Sequence, residues 1–240
     1  MPALTRTLPA ALPTGSQNTN IGLGVMLIVV ALLSFAPVVI LGAAIGWPAS
    51  LRNPAAQQLA AIAAQPDGVS FGYAVYLLYS ILIAPVMIGL AARTFGGLSQ
   101  PLAATVVLFG ALSALARAVG ILRWLTVMPR LATAHAGADP ALRSQIELLF
   151  SALNEYGGGI GEVLGVSIFM AVSVGTLAVG GLLRGGLQRW LAVLGLLSAL
   201  LLAGLALPVL RGPEVVPVAA AVSLLSLWMI AAGVWLLRAR

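Results

Sequence analysis

The sequence predicts an all-α fold, a polytopic bundle of transmembrane helices, on three observations. Hydrophobic residues make up 61% of the 240 and charged residues 8%, with a mean hydropathy of +1.09, whereas a soluble domain carries roughly 45–50% apolar and 25% charged residues. Several apolar runs reach the about 20 residues that a helix needs to cross the hydrocarbon, and short Pro, Gly and Arg clusters separate them. The period-two alternation of a membrane barrel is absent, and only helices or closed barrels satisfy their backbone groups in lipid.

Charge and cysteine usage narrow the function classes. Twelve arginines and no lysine stand against six acidic residues, a formal charge of +6. A soluble protein with this balance would raise nucleic-acid binding. Here the arginines are scattered singly, mostly at the ends of apolar runs, where they act as topology signals and headgroup anchors, so no nucleic-acid partner is expected. There is no cysteine, which excludes disulfides, thiol catalysis and iron–sulfur ligation.

Taken in order, residues 1–20 are polar and rich in Pro, Thr and Asn, with Arg6 as their charge, and are expected to form a tail. The first span is residues 21–46, kinked by Pro37, which lacks a backbone donor. Trp47 suits the interface. Asn53 and Pro54 then have the form of a cap and a first helical residue, opening a surface helix over 54–64 that Gln57 and Gln58 make too polar to cross. The second span, 69–92, contains Pro85. Its Tyr73, Tyr76 and Tyr79 recur every third residue and fit interfacial anchoring and helix packing better than ligand stacking. The third span is 101–127, and Met128-Pro129-Arg130 opens a polar loop that holds His135. Asp139 caps and Pro140 starts a second interfacial helix over 140–156, with Leu142, Ile146, Leu149 and Leu153 on one apolar stripe. The fourth span is 157–183, opening on a glycine run; the fifth is 188–210 and the sixth 215–237. Residues 21–240 thus form a single six-helix domain.

With both termini cytoplasmic, the inner side carries Arg6, Arg93, Arg184, Arg189, Arg238 and Arg240, and the outer loops carry Arg52, Arg130, Arg143 and Arg211. The positive-inside rule favours that orientation, and a bacterial inner membrane is the expected location. All six acidic residues then fall on or near the outer side.

The candidate site lies between Arg117 and Glu162. At 1.5 Å per residue, Arg123 lies about 6 Å and Arg117 about 15 Å below the outer end of the third span, and Glu162 about 8 Å below that of the fourth. These depths overlap, so Arg117 or Arg123 can meet Glu162, with Asn154 and Glu155 nearer the headgroups. An unpaired charge at such depth costs at least about 2.5–3.5 kcal/mol on insertion scales, so pairing or a wet cavity is expected. Two readings stand open. In one, Arg117, Arg123, Asn154, Glu155 and Glu162 line an outward-facing pocket for a small polar or ionic ligand. In the other, an Arg–Glu pair locks two helices of a non-transporting scaffold. For the glycines from Gly157 to Gly161, close helix packing is preferred over an unwound ligand-binding break.

His135 is expected in the outer loop beside Asp139, and one histidine cannot assemble a two-histidine zinc site or ligate haem from both sides. The chain lacks H-E-x-x-H, a G-x-S-x-G elbow, a P-loop and a Rossmann fingerprint. No catalytic residue, metal site or cofactor is assigned. The bilayer, a small polar or ionic ligand and a second copy of the chain are the candidate partners.

The run Arg117-Ala118-Val119-Gly120-Ile121-Leu122-Arg123-Trp124-Leu125, with Asn154-Glu155-Tyr156-Gly157-Gly158-Gly159-Ile160-Gly161-Glu162, resembles the small bacterial six-helix membrane proteins grouped as a domain of unknown function. The resemblance implies a polytopic inner-membrane protein and carries no catalytic or binding role to any residue.

Overall fold

Proline and glycine cut the apolar chain into helices, and the computed structural model, which describes residues 15–238, shows where the cuts fall. The first crossing is made of α1 (Gly15–Leu33) and α2 (Ala36–Ile45). The break at Ser34 and Phe35 sits just before Pro37, whose missing N–H cannot bond the Leu33 carbonyl. There Ser34 donates its hydroxyl to the Ala31 carbonyl at 2.6 Å and lies 2.9 Å from the Ser226 hydroxyl. The expected polar tail is shorter than 1–20, because Gly15 to Asn20 already belong to α1; residues 1–14, with Arg6, lie outside the described residues, as does Arg240.

A short surface helix α3 (Ala55–Ala64) follows. Asn53 does not cap it by side chain. Its backbone carbonyl instead accepts from the Gln58 amide at 2.7 Å, and Pro54 takes the capping position one residue later than predicted. The long helices α4 (Pro66–Phe95) and α5 (Pro101–Gly137) form the most extensive helix pair of the bundle. Each carries an internal proline, Pro85 and Pro129. The third predicted span therefore stops about ten residues short: α5 runs through Pro129 to Gly137 without a loop. Its 37 residues span roughly 55 Å, well beyond a hydrocarbon core of about 30 Å.

Asp139 caps the next helix as predicted, accepting from the Leu142 N–H at 2.9 Å. That helix, α6 (Pro140–Gly158), does not end before the fourth span. It passes through a π-helical segment, Gly159–Phe169, into α7 (Met170–Arg184), one helical rod of 45 residues. The stripe predicted on α6 is rotated: Ile146 and Phe150 are buried, whereas Leu142 and Leu149 are 46% and 48% exposed. The chain closes with α8 (Arg189–Gly204) and α9 (Val218–Arg238). Glycines with left-handed φ, Gly96 and Gly185, terminate α4 and α7, a conformation that costs glycine little.

All described elements are helical, and five helical segments are long and apolar enough to cross a membrane: Asn20–Ile45, Pro66–Phe95, Pro101–Gly137, Pro140–Arg184 and Val218–Arg238. The predicted fifth span contains α8, which at 16 residues is shorter than these.

Two apolar cores result. The larger joins α1, α4, α5, α7, α8 and α9 around Leu27, Met87, Leu177 and Trp228. Between these helices, hydroxyls donate across to main-chain carbonyls: Ser113 to Gly165 at 2.7 Å and Ser173 to Val106 at 2.8 Å. The Trp228 indole donates to Leu191 at 2.9 Å. Such bonds, with small residues, hold helices together where lipid offers no hydrophobic drive. The smaller core sits at the end of the bundle that carries α3 and packs Leu59, Ile62, Trp124, Met128, Ile146 and Phe150. It forms a helical cap, and the candidate site lies where cap and bundle meet.

Candidate functional site

Three glycines on the rod that runs from α6 into α7 create the site. Gly157, Gly161 and Gly165 recur every fourth residue and face α5. A Cβ on Gly165 would stand 2.9 Å from Arg117 Cγ, and one on Gly157 would stand 2.6 Å from Arg123 Cδ. The glycines thus give the arginine stems room to lie between the helices. Helical backbone continues throughout, so close packing is the role of the glycine run, as preferred from the sequence. The π-helical register begins at Gly159, within this contact; π-helical turns concentrate at functional sites.

Between the cap and the bundle lies a cavity of about 400 Å³, and Arg117, Arg123, Asn154, Glu155 and Glu162 all line it. The structure thus brings together the five residues singled out in the sequence. Their bonding differs from expectation. Arg123 is half-buried and donates to Asn154 Oδ1 from Nε at 3.3 Å and from Nη2 at 3.1 Å. It also bonds the Gly120 carbonyl and lies over the Trp124 ring, 5.5 Å from its centroid. Neither arginine forms an ion pair with Glu162 or Glu155 among the described residues. The groups lie at overlapping depths, but a neutral amide, Asn154, takes the place assigned to a carboxylate.

Arg117 is 2% exposed. Its Nη1 donates to the Tyr79 hydroxyl at a long 3.4 Å, and its guanidinium stands 5.8 Å from the Tyr79 ring centroid. Nε and Nη2 have no partner. An orphaned cation in a low-dielectric interior is costly, which singles this group out. Glu155 and Glu162 are exposed.

An aromatic wall, not anticipated from the sequence, completes the lining. Trp47, Tyr73, Tyr76 and Trp124 also line the cavity. Tyr73 stacks on Trp124 with ring centroids 4.6 Å apart and planes 7° apart, and Trp47 meets Tyr76 edge-on at 6.0 Å. Helix packing, as expected, accounts for the burial of Tyr73 and Tyr79; it does not account for the faces of Tyr73 and Tyr76 that border the cavity. The usable signal was Trp124 next to Arg123, one helical turn from the glycine contact.

His135 is not in a loop. It lies in the last turns of α5, and its Nε2 is 2.9 Å from Glu147 Oε1 on α6. Asp139 is occupied by its capping bond, so the histidine belongs to the cap and stands apart from the cavity lining.

A helical bundle with five segments able to cross a membrane, and a cavity of charged, amide and aromatic side chains beneath a helical cap, defines an integral, polytopic membrane protein. Within that class the chain belongs to the family described as a domain of unknown function, DUF4386, whose model matches residues 23–239. No curated protein and no solved structure matches the chain.

Proposed function

We propose that this is a six-span protein of the bacterial cytoplasmic membrane, with both termini cytoplasmic, whose outward-facing Arg/Glu cavity binds and transports a small polar or ionic ligand. The observation that carries the reading is Arg117, a guanidinium at 2% exposure on the wall of a 400 Å³ cavity with two donors unpartnered. A cavity of this size lies in the range of small-molecule sites, and an intramembrane charge beside such a cavity is a functional hallmark. The competing scaffold reading needs a structural Arg–Glu lock. The hydrogen bonds of the two arginines go to Asn154, Gly120 and Tyr79 instead.

Six crossings follow if α8 and the apolar turn to Leu210 serve as one. The 16 residues of α8 reach roughly 24 Å, a mismatch that local bilayer thinning accommodates. An even count puts Arg238 at the end opposite the cap together with Arg93, Arg184 and Arg189, in keeping with the positive-inside rule.

A single cysteine introduced into this cysteine-free chain tests the cavity. Gly159 lines it, and a Cβ there meets no atom within 4 Å. Gly159→Cys is expected to react with a membrane-impermeant thiol reagent added outside intact cells. Failure to react from either side would show a closed interior and end the binding reading.

A further inference from the structure

The buried side-chain atoms left without a hydrogen bond among the described residues are Tyr73 Oη, Arg117 Nε and Arg117 Nη2. Both residues line the cavity, and every one of these atoms can donate a proton. What they lack is an acceptor. Nε and Nη2 occupy one edge of the guanidinium, the edge with which arginine takes two oxygens of a carboxylate or phosphate side by side. Tyr79 holds the remaining nitrogen, Nη1, so the fork is the part left over. Burial in this conformation means that a ligand must be met by a turn of the Arg117 side chain into the cavity.

The cavity is not simply cationic. Glu155 and Glu162 are exposed on its lining and carry no ion pair among the described residues, so they oppose a bare anion and favour a positive group beside it. Aromatic faces on the same wall, Tyr76 and Trp124 among them, suit an ammonium group as well. Arg123 does not compensate these carboxylates by contact, being held by Asn154 and Gly120.

Building on the ligand-binding reading above, we propose that the ligand is a small zwitterion, its carboxylate or phosphate held by the Arg117 fork and its ammonium group facing Glu162 and the aromatic wall. A free amino-acid-like solute and an aminophospholipid headgroup share that chemistry.

The test uses the full chain purified in detergent. Thermal unfolding is followed with glycine betaine, L-serine and glycerophosphoethanolamine as zwitterions, acetate and inorganic phosphate as anions, and choline as a cation. Native mass spectrometry reports retained phosphatidylethanolamine. The zwitterions are expected to raise Tm more than acetate, phosphate or choline, which identifies a free solute; retained phosphatidylethanolamine identifies the lipid source. In Arg117→Met the apparent affinity is expected to fall about 10- to 100-fold, the loss of charge-assisted bonds, or the lipid is no longer retained. Should Arg117→Met fail to fold, Tyr73→Phe, which keeps the ring and removes only the hydroxyl, is expected to weaken the same response. A response to choline alone, a response as strong with acetate or phosphate as with the zwitterions, or zwitterion or lipid binding unchanged in the variant that folds would overturn the zwitterion assignment while leaving a binding cavity standing. No response to any probe together with no retained lipid would overturn both.

Discussion

Gly120 of α5 and Gly161 of the π-helical segment bring two backbones into direct contact: a Cβ on Gly120 would lie 2.7 Å from Gly161 Cα and 2.9 Å from the Gly157 carbonyl oxygen. The obstructing atoms are main chain and cannot rotate away, so the two helices must separate to admit a methyl group.

Gly120→Ala is accordingly expected to destabilise the protein by about 1–3 kcal/mol, the usual cost of overpacking a tight contact, read as a fall in Tm in detergent. Gly159→Ala is the control, because a Cβ there meets nothing within 4 Å. Replacing a helical glycine by alanine at an unobstructed position gains roughly 0.5–1 kcal/mol, so its Tm is expected to hold or rise. Equal losses in the two variants would show that glycine is needed for backbone conformation and not for the helix contact.

The cap depends on Trp124 in a different way. Its ring stacks on Tyr73 and meets Phe150 edge-on at 6.2 Å, joining α4, α5 and α6 at the roof of the cavity. Trp124→Ala is expected to cost about 3–5 kcal/mol and to loosen the cap as a unit, with faster amide hydrogen exchange in α3 and α6 than in α8 and α9. His135→Ala removes only the partly buried bond to Glu147 and is expected to cost about 0.5–1.5 kcal/mol, with faster exchange confined to the end of α5 and the start of α6. Uniform protection loss across all helices in Trp124→Ala would mean that the cap is no separate cooperative unit.

Which features were legible in the sequence follows from which physical signal each one leaves. Apolar runs and the proline and glycine between them located most helices, since burial in lipid demands length and hydropathy regardless of packing. Pro129 misled because a proline normally ends a helix; here Met128 and Ala132, both buried in the cap, pack the turn on either side of it and the helix continues. The glycine run at Gly157 looked like the boundary between an interfacial helix and a span, yet its lack of side chains is what lets one continuous helix pass against α5. The five charged and amide residues were found by depth along their helices, which sequence does encode. Their partners were not, because whether Arg123 meets Asn154 or Glu162 depends on the rotation of α6 into α7, and that rotation is set by the π-helical segment.

The distribution of charge along the bundle implies a topology that can be measured. Asp67, Asp139, Glu147, Glu155, Glu162 and Glu214 all lie toward the end of the bundle that carries the cap, where Glu214 also reaches Arg52 at 3.9 Å; that pair is largely exposed and screened by salt, so it orients nothing by itself. Arg93 at the far end donates to Asn20 Oδ1 at 3.2 Å, and Arg184 donates to Gln100 Oε1 at 3.0 Å, anchoring the bundle where headgroups would meet it. Reporter fusions divide the alternatives. If α8 crosses, a reporter active only in the cytoplasm is expected to be active when fused after Leu187 and after Arg238, and inactive after Gly137 and after Gly212. If α8 stays on one side, the fusions after Leu187 and Gly212 give the same signal, five crossings remain, and the two termini lie on opposite faces. Arg238 at the end of α9 favours the first outcome: were α8 not to cross, α9 would carry this cation to the translocated side, away from Arg93 and Arg184 and against the bias that sets orientation.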